Sequence, residues 1–215
     1  MRDQYYEQLD SIVDDLVTLT GTVRKAVAAA TAALLNADGP LAESVIAGDR
    51  AVEESVEEIE ERTLLLLATQ QPVASDLRQL VATLRMLTDL QRMGALSVHV
   101  AKVARLRIPD VAVPTAMQPT IMAMASTADQ MIHAASRIVA ERDVDAATRL
   151  EDTDDEMDRL RKQLFRTLLG GEWEHGIEPA IDLALLGRYY ERLGDHAVSM
   201  ARRVVYLVTG EMQSS

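Results

Sequence analysis

A chain of 215 residues, 48% of them hydrophobic, can fill one large domain or two small ones and bury a core, which excludes intrinsic disorder. With one Trp, five Tyr and one Phe, that core must be built from Leu, Val, Ile, Ala and Met, the palette of long packed helices and not of an all-β fold. A formal charge of −12 opposes nucleic-acid binding, and the absence of cysteine leaves only carboxylate or imidazole ligands for any metal.

The opening residues Met1-Arg2-Asp3-Gln4-Tyr5-Tyr6-Glu7 are too polar for the apolar core of a secretory signal, so a cytoplasmic location is expected. Leu9, Ile12, Leu16, Leu19, Val23, Val27, Ala30 and Leu34 recur at spacings of three and four, which predicts one long helix ended by Asp38-Gly39-Pro40. Pro40 suits the first turn of a second helix, whose stripe runs through Val45, Val52, Val56, Ile59 and Leu66 to Pro72. Its run Leu64-Leu65-Leu66-Leu67-Ala68 meets Gln70-Gln71-Pro72 far short of the roughly 18 to 20 apolar residues of a membrane span. A third helix carries Leu77, Leu80, Leu84, Leu87, Val98 and Ala101. Pro109 and Pro114 then interrupt any helix, so residues 108–114 read as a connection. Beyond it Met117, Ile121, Met124, Ala128, Met131, Ala135 and Val139 mark a fourth helix, with a break near Arg142-Asp143-Val144. Leu150, Met157, Leu160, Leu164 and Leu168 mark a fifth, stopped by Gly170-Gly171, and a sixth spans roughly Ile177 to Val208. The fold class expected is all-α, six long helices in two tandem pseudo-symmetric three-helix bundles over residues 1–107 and 115–215.

Gln91-Arg92-Met93-Gly94 returns one hundred residues later as Glu191-Arg192-Leu193-Gly194, in the third helix of each half, which points to a duplication. Each helix-interior glycine costs about 1 kcal/mol relative to alanine, so something must offset it: close helix packing, or room for an ion and its ligands. Glu191 and Asp195 stand four apart, about 40° from each other on one face, and the second helices repeat that spacing as Asp49 with Glu53 and Asp154 with Asp158. Such oxygen donors suit Mg²⁺, Ca²⁺, Mn²⁺ or iron. Thirty-four acids in this length also produce such spacings on ordinary solvated helix faces, and the two readings stay open.

His99 and Lys102 have the His-x-x-Lys spacing of helical phosphotransfer modules, although Val103 stands where such modules place a small residue. His196 follows Asp195 directly and diverges from it by about 100°, so it reads as helix surface or packing. Glu172-Trp173-Glu174-His175 is the one Glu-x-x-His and falls in a connecting segment, which argues against a di-iron oxidase. No Gly-rich phosphate loop and no nucleophile beside a base is recognisable, so no enzyme activity is expected. Met117, Met124 and Met131 recur every seven residues and read as core in preference to a dimer face.

Three segments, Gln70-Gln71-Pro72-Val73-Ala74-Ser75-Asp76-Leu77-Arg78, Asp89-Leu90-Gln91-Arg92-Met93-Gly94 and Glu191-Arg192-Leu193-Gly194-Asp195-His196-Ala197, together resemble the signature set of PhoU proteins, with the acidic mycobacterial members nearest. The resemblance covers nearly the whole chain. It implies two three-helix bundles and a negative regulator of the phosphate-starvation response and phosphate uptake. Such a regulator acts as a binding adaptor between the nucleotide-binding subunit of a phosphate ABC transporter and a sensor histidine kinase, and a homodimer is a further expectation. Some family members carry multinuclear iron or other metal on Glu/Asp-x-x-x-Asp motifs of the third helix in each repeat. Carried over, those positions are Glu191 and Asp195, which the second-helix pair Asp154 and Asp158, read above from its spacing, could meet. In the first half they are Gln91 and Ala95, so a divalent metal or iron, not required for the fold, is expected in the second repeat only.

Overall fold

Two aspartates start equivalent helices by the same device. The Asp38 carboxylate accepts the Leu41 N–H at 3.0 Å and the Asp143 carboxylate accepts the Ala146 N–H at 2.8 Å, each satisfying an otherwise orphaned helix-start donor. The computed structural model describes residues 2–211, in which α1 spans Arg2–Asn36, α2 Gly39–Gln70, α3 Ser75–Arg107, α4 Gln118–Glu141, α5 Val144–Leu169 and α6 Ile177–Thr209. A 3-10 turn at Thr115–Met117 leads into α4, and the described residues contain no strand. Gln71 and Arg142 take left-handed backbone angles to end α2 and α4, and Gly210 ends α6 with φ 77°, its N–H reaching the Tyr206 carbonyl at 2.8 Å.

Within each half the three helices pack on one another, and the halves join along α1 against α4 and α3 against α6. Equivalent positions are buried alike. Ala42, Val45, Val52 and Ile59 of α2 match Ala147, Leu150, Met157 and Leu164 of α5, all buried, at an offset of 105. In α3 and α6 Met93, Gly94 and Ala101 match Leu193, Gly194 and Ala201 at an offset of 100. Both halves contribute to a single continuous hydrophobic cluster, and Met117, Met124 and Met131 are buried within it, so the methionine stripe is core.

Arg107 near the end of α3 meets Glu178 and Asp182 near the start of α6, while Arg78 near the start of α3 lies beside Gly210. The two third helices are therefore antiparallel. Rocking of the repeats about residues 108–114 would have to break the Arg107–Asp182 pair and open this seam.

Candidate functional site

Both motif glycines are sites of close approach. A Cβ at Gly194 would lie 3.1 Å from Met131 Sδ and 3.4 Å from Asp154 Oδ1; one at Gly94 would lie 3.1 Å from Val52 Cγ1 and 3.5 Å from Asp49 Oδ1. A β-carbon at either position would press its neighbours to give by a few tenths of an ångström, so each glycine eases close helix packing, and the carboxylate alongside is the same second-helix acid in each repeat.

In the second repeat that acid is perturbed. Burial, then the negative charges of Asp195, Asp158 and Asp155, push the Asp154 carboxyl up to about 6, against a smaller opposing pull from Arg202. Asp195 is exposed, and Asp158 is within 3.4 Å of Lys162. Glu191 is buried and has different company. Arg161 of α5 reaches its Oε1 at 3.2 Å, and Arg188, one turn earlier on α6, donates to its Oε2. The four-residue spacing correctly places Glu191 and Asp195 on one helix, yet two guanidiniums already neutralise the first while the second faces Asp154.

Among the described residues no three His, Asp or Glu side chains are gathered closely enough to hold a metal ion. The donor chemistry of Asp154, Asp158 and Asp195 nevertheless suits a hard cation, because added positive charge relieves the repulsion that raises Asp154. Glu191, with both oxygens engaged by arginine, does not fit that role as placed. In the first repeat Asp49 stands by Gly94 and Glu53 is exposed, while Gln91 and Ala95 are exposed and uncharged.

A second polar cluster lies at the α3–α6 seam. The Asp89 carboxylate, buried, contacts His196 Nδ1 at 3.0 Å and accepts from Ser199 Oγ at 3.1 Å and Arg203 Nε at 3.1 Å. This corrects the reading of His196 as plain surface or packing: its carboxylate partner comes from the other repeat, not from its neighbour Asp195. Position 89 points away from position 91 by about 200°, which turns it to α6. Farther along, Asp182 accepts from Arg107 Nε at 2.6 Å. Across α1 and α4, Arg24 grips Asp129 with two bonds of 2.6 and 2.7 Å, and that guanidinium bond holds the Asp129 carboxyl below its usual range. The Tyr190 hydroxyl, fully buried, pairs with Thr31 at 2.8 Å. His99 is exposed, with its ring stacked on Tyr189 at 5.3 Å, and Lys102 is exposed one turn on.

The PhoU domain model matches residues 16–104 and again residues 121–204, one copy per repeat. The chain belongs to the PhoU domain family. It is 41% identical, over 98% of its length and 99% of the relative's, to the phosphate-specific transport system accessory protein PhoU homolog 2 of Mycobacterium tuberculosis. It is also 41% identical to PhoU homolog 1 of Mycobacterium leprae, over 98% and 95% of the two chains. Among solved structures, PhoU from Pseudomonas aeruginosa superposes with a TM-score of 0.87 at 29% identity, covering 96% of this chain and 100% of that one. The phosphate transport system regulatory protein PhoU from Streptococcus pneumoniae gives 0.87 at 22% identity, a likeness of fold. Within the PhoU frame, the Asp89 cluster was the functional-looking feature that motif reading passed over, because its partners lie more than a hundred residues away.

Proposed function

We propose that this PhoU-family chain is a negative regulator of the phosphate-starvation response and of phosphate uptake. It acts by binding, as an adaptor between the nucleotide-binding subunit of a phosphate ABC transporter and a sensor histidine kinase. The observation that carries this reading is the similarity, over 98% of the chain, to proteins named as accessory to a phosphate-specific transport system. Long helices with exposed faces suit helix-in-groove recognition. Recruitment to the inner face of the membrane through partners agrees with the finding that no described helix is long and apolar enough to cross a membrane. Deleting the gene should switch on phosphate-scavenging genes in phosphate-replete medium; continued silence there refutes the proposal.

The same reading extends to metal. A divalent cation or iron sits on Asp154, Asp158 and Asp195, where it neutralises the acids between α5 and α6, with Glu191 left to its arginines. Metal content of protein purified without chelators should fall in Asp195→Asn, and equal content in both proteins removes this part. A phosphotransfer role for His99 has its exposure beside Lys102 in its favour. Acid-labile phosphate passing from a phosphorylated kinase to this chain, and lost in His99→Gln, would replace the adaptor reading.

A further inference from the structure

The hairpin of α5 and α6 carries an apolar surface with one sign of charge along it. Leu169 is 83% exposed, Ile177 78%, Ile181 53% and Leu185 42%. Ile177, Ile181, Leu185 and Arg188 follow one another at spacings of four and three, so they form one stripe down a face of α6. Arg188 donates to Glu191 Oε2, and Arg161 of α5 reaches Oε1 of the same carboxylate at 3.2 Å, so this stripe borders the exposed face of α5. There Arg161, Lys162, Phe165, Arg166 and Leu169 line one open concavity, with the Arg161 Cζ 5.5 Å from the Phe165 ring centroid. The buried Glu191 thus fastens two arginines between the apolar residues of the two helices.

The first repeat does not reproduce this face. At the offset of 105 between α2 and α5, Lys162, Phe165 and Arg166 answer to Glu57, Glu60 and Glu61; at the offset of 100 between α3 and α6, Leu185 and Arg188 answer to Arg85 and Thr88. Inside a chain of net charge −12, the stretch from Arg159 to Arg166 holds four cations and no acid. Arg166 makes no ion pair among the described residues, and the 3.4 Å contact of Lys162 with Asp158 is exposed on both sides and therefore weak. The Nε of Arg161 is buried without an acceptor. Contiguous apolar surface rimmed by charges that the fold leaves unused marks a docking face.

We propose that the α5–α6 face receives an amphipathic helix of a partner protein whose apolar stripe is bordered by carboxylates. Its apolar anchors, one turn apart, cover Ile177, Ile181 and Leu185 along α6, while its Asp and Glu side chains meet Lys162, Arg166 and Arg188. Charge complementarity selects the acidic partner, and burial of the exposed aliphatic side chains drives the docking. Glu178 does not oppose it, because Arg107 holds that carboxylate at 3.0 Å. An anionic membrane is the poorer occupant, since Glu172 and Glu174 stand exposed on the connection at the same tip and would face its headgroups. The inference rests on the adaptor reading for there being a partner, and adds which face receives it and what chemistry that partner carries.

Trp173, the one tryptophan of the chain, lies half-buried at this tip with its Nε1 donating to the Gly176 carbonyl at 2.7 Å, so its fluorescence reports on the face. The full chain is titrated with a synthetic amphipathic helix of about 20 residues, leucines along one face and glutamates beside them, and with a twin carrying lysines for the glutamates. The acidic peptide should shift the emission and bind roughly tenfold or more tightly than its twin at about 50 mM salt, a preference that shrinks at about 500 mM. Lys162→Glu/Arg166→Glu should abolish that preference, Ile181→Ser should weaken the acidic peptide, and Glu57→Gln/Glu61→Gln should leave it unchanged. All five side chains are exposed, so helical circular dichroism should persist, and Ile181→Ser keeps the test open if the double variant fails to fold. No binding of the acidic peptide, equal binding of its twin, an equal shift with vesicles of anionic phospholipid, or self-association of the chain that Lys162→Glu/Arg166→Glu abolishes each overturns the proposal. In cells, Lys162→Glu/Arg166→Glu should switch on phosphate-scavenging genes in phosphate-replete medium as deletion does. A deletion that switches them on beside a variant that keeps them silent overturns this inference alone, whereas a silent deletion overturns the regulator reading and leaves the titration to decide this one.

Discussion

Replacing Asp89 by Asn should loosen the junction between the repeats by a measurable amount. The carboxylate is buried and takes a contact from His196 and hydrogen bonds from Ser199 and Arg203, all on the other repeat. Removing one partner of a buried ion pair costs about 3–5 kcal/mol when the stranded charge stays buried. Here the Arg203 side chain is 26% exposed and that of His196 is 12% exposed, so water relieves part of the penalty and about 2–3 kcal/mol is expected. For a chain of this size that is a fall in Tm of roughly 4–12 °C. Circular dichroism during thermal and urea unfolding measures it, with Glu54→Gln as control, since the Arg50–Glu54 pair is exposed on both sides and should leave Tm unchanged. A double-mutant cycle with Arg203→Gln should return a coupling of about 1 kcal/mol or more. If Asp89→Asn unfolds like the control, the seam is not held by this cluster and the argument fails.

Asp154 makes a pH prediction of opposite sign to an ordinary paired carboxylate. Its acid form persists in the folded chain up to about 6 against an ordinary value of 3.8, so between those values the folded state binds more protons than the unfolded one. Stability should therefore fall as pH rises from about 4 to about 6 and level off above. Asp154→Asn should be the more stable protein at neutral pH, by about 1 kcal/mol once partial exposure is discounted, with the gap closing near the ordinary carboxylate range. Melting curves across that range check it, and a gap that widens in acid contradicts it. Glycines give a paired test. Gly21→Ala and Gly48→Ala meet nothing within 4 Å and should each stabilise by about 0.5–1 kcal/mol, whereas a Cβ at Gly187 would lie 2.6 Å from Leu164 Cδ2 in the core, so Gly187→Ala should destabilise. Equal shifts at all three positions would show that helix propensity alone decides.

All six helices were readable because each buries a stripe long enough to show its period, and their ends coincide with local chemistry such as Asp38, Pro40, Pro72 and Asp143. The glycine pair was readable as a cost in need of an explanation, though not which residue approaches. Glu191 shows where local reading stops. Its spacing to Asp195 is visible in the sequence and so is Arg188 one turn before it, but Arg161 arrives from another helix, and only packing reveals that the carboxylate is already neutralised. His196 failed in the same way, because a search for its partner among helix neighbours could not reach Asp89.

The two repeats have diverged unevenly, and where they differ bears on what the molecule can do. Positions that pack have been kept: Gly94 with Gly194, Val52 with Met157, Asp49 with Asp154. Positions facing solvent have changed character, Ala95 against Asp195, Glu57 against Lys162, Glu61 against Arg166, and the exposed Gln91 answers to the buried Glu191. A symmetric body would offer the same surface twice and could not distinguish two partners. Holding the core constant while inverting charge at one tip and setting a third-helix acid, Asp195, beside one glycine only gives two dissimilar ends on one frame. The seam polar groups serve that arrangement, because Asp89, Asp182 and Asp129 each take their cation from the opposite repeat and so fix how the two unlike surfaces are presented together.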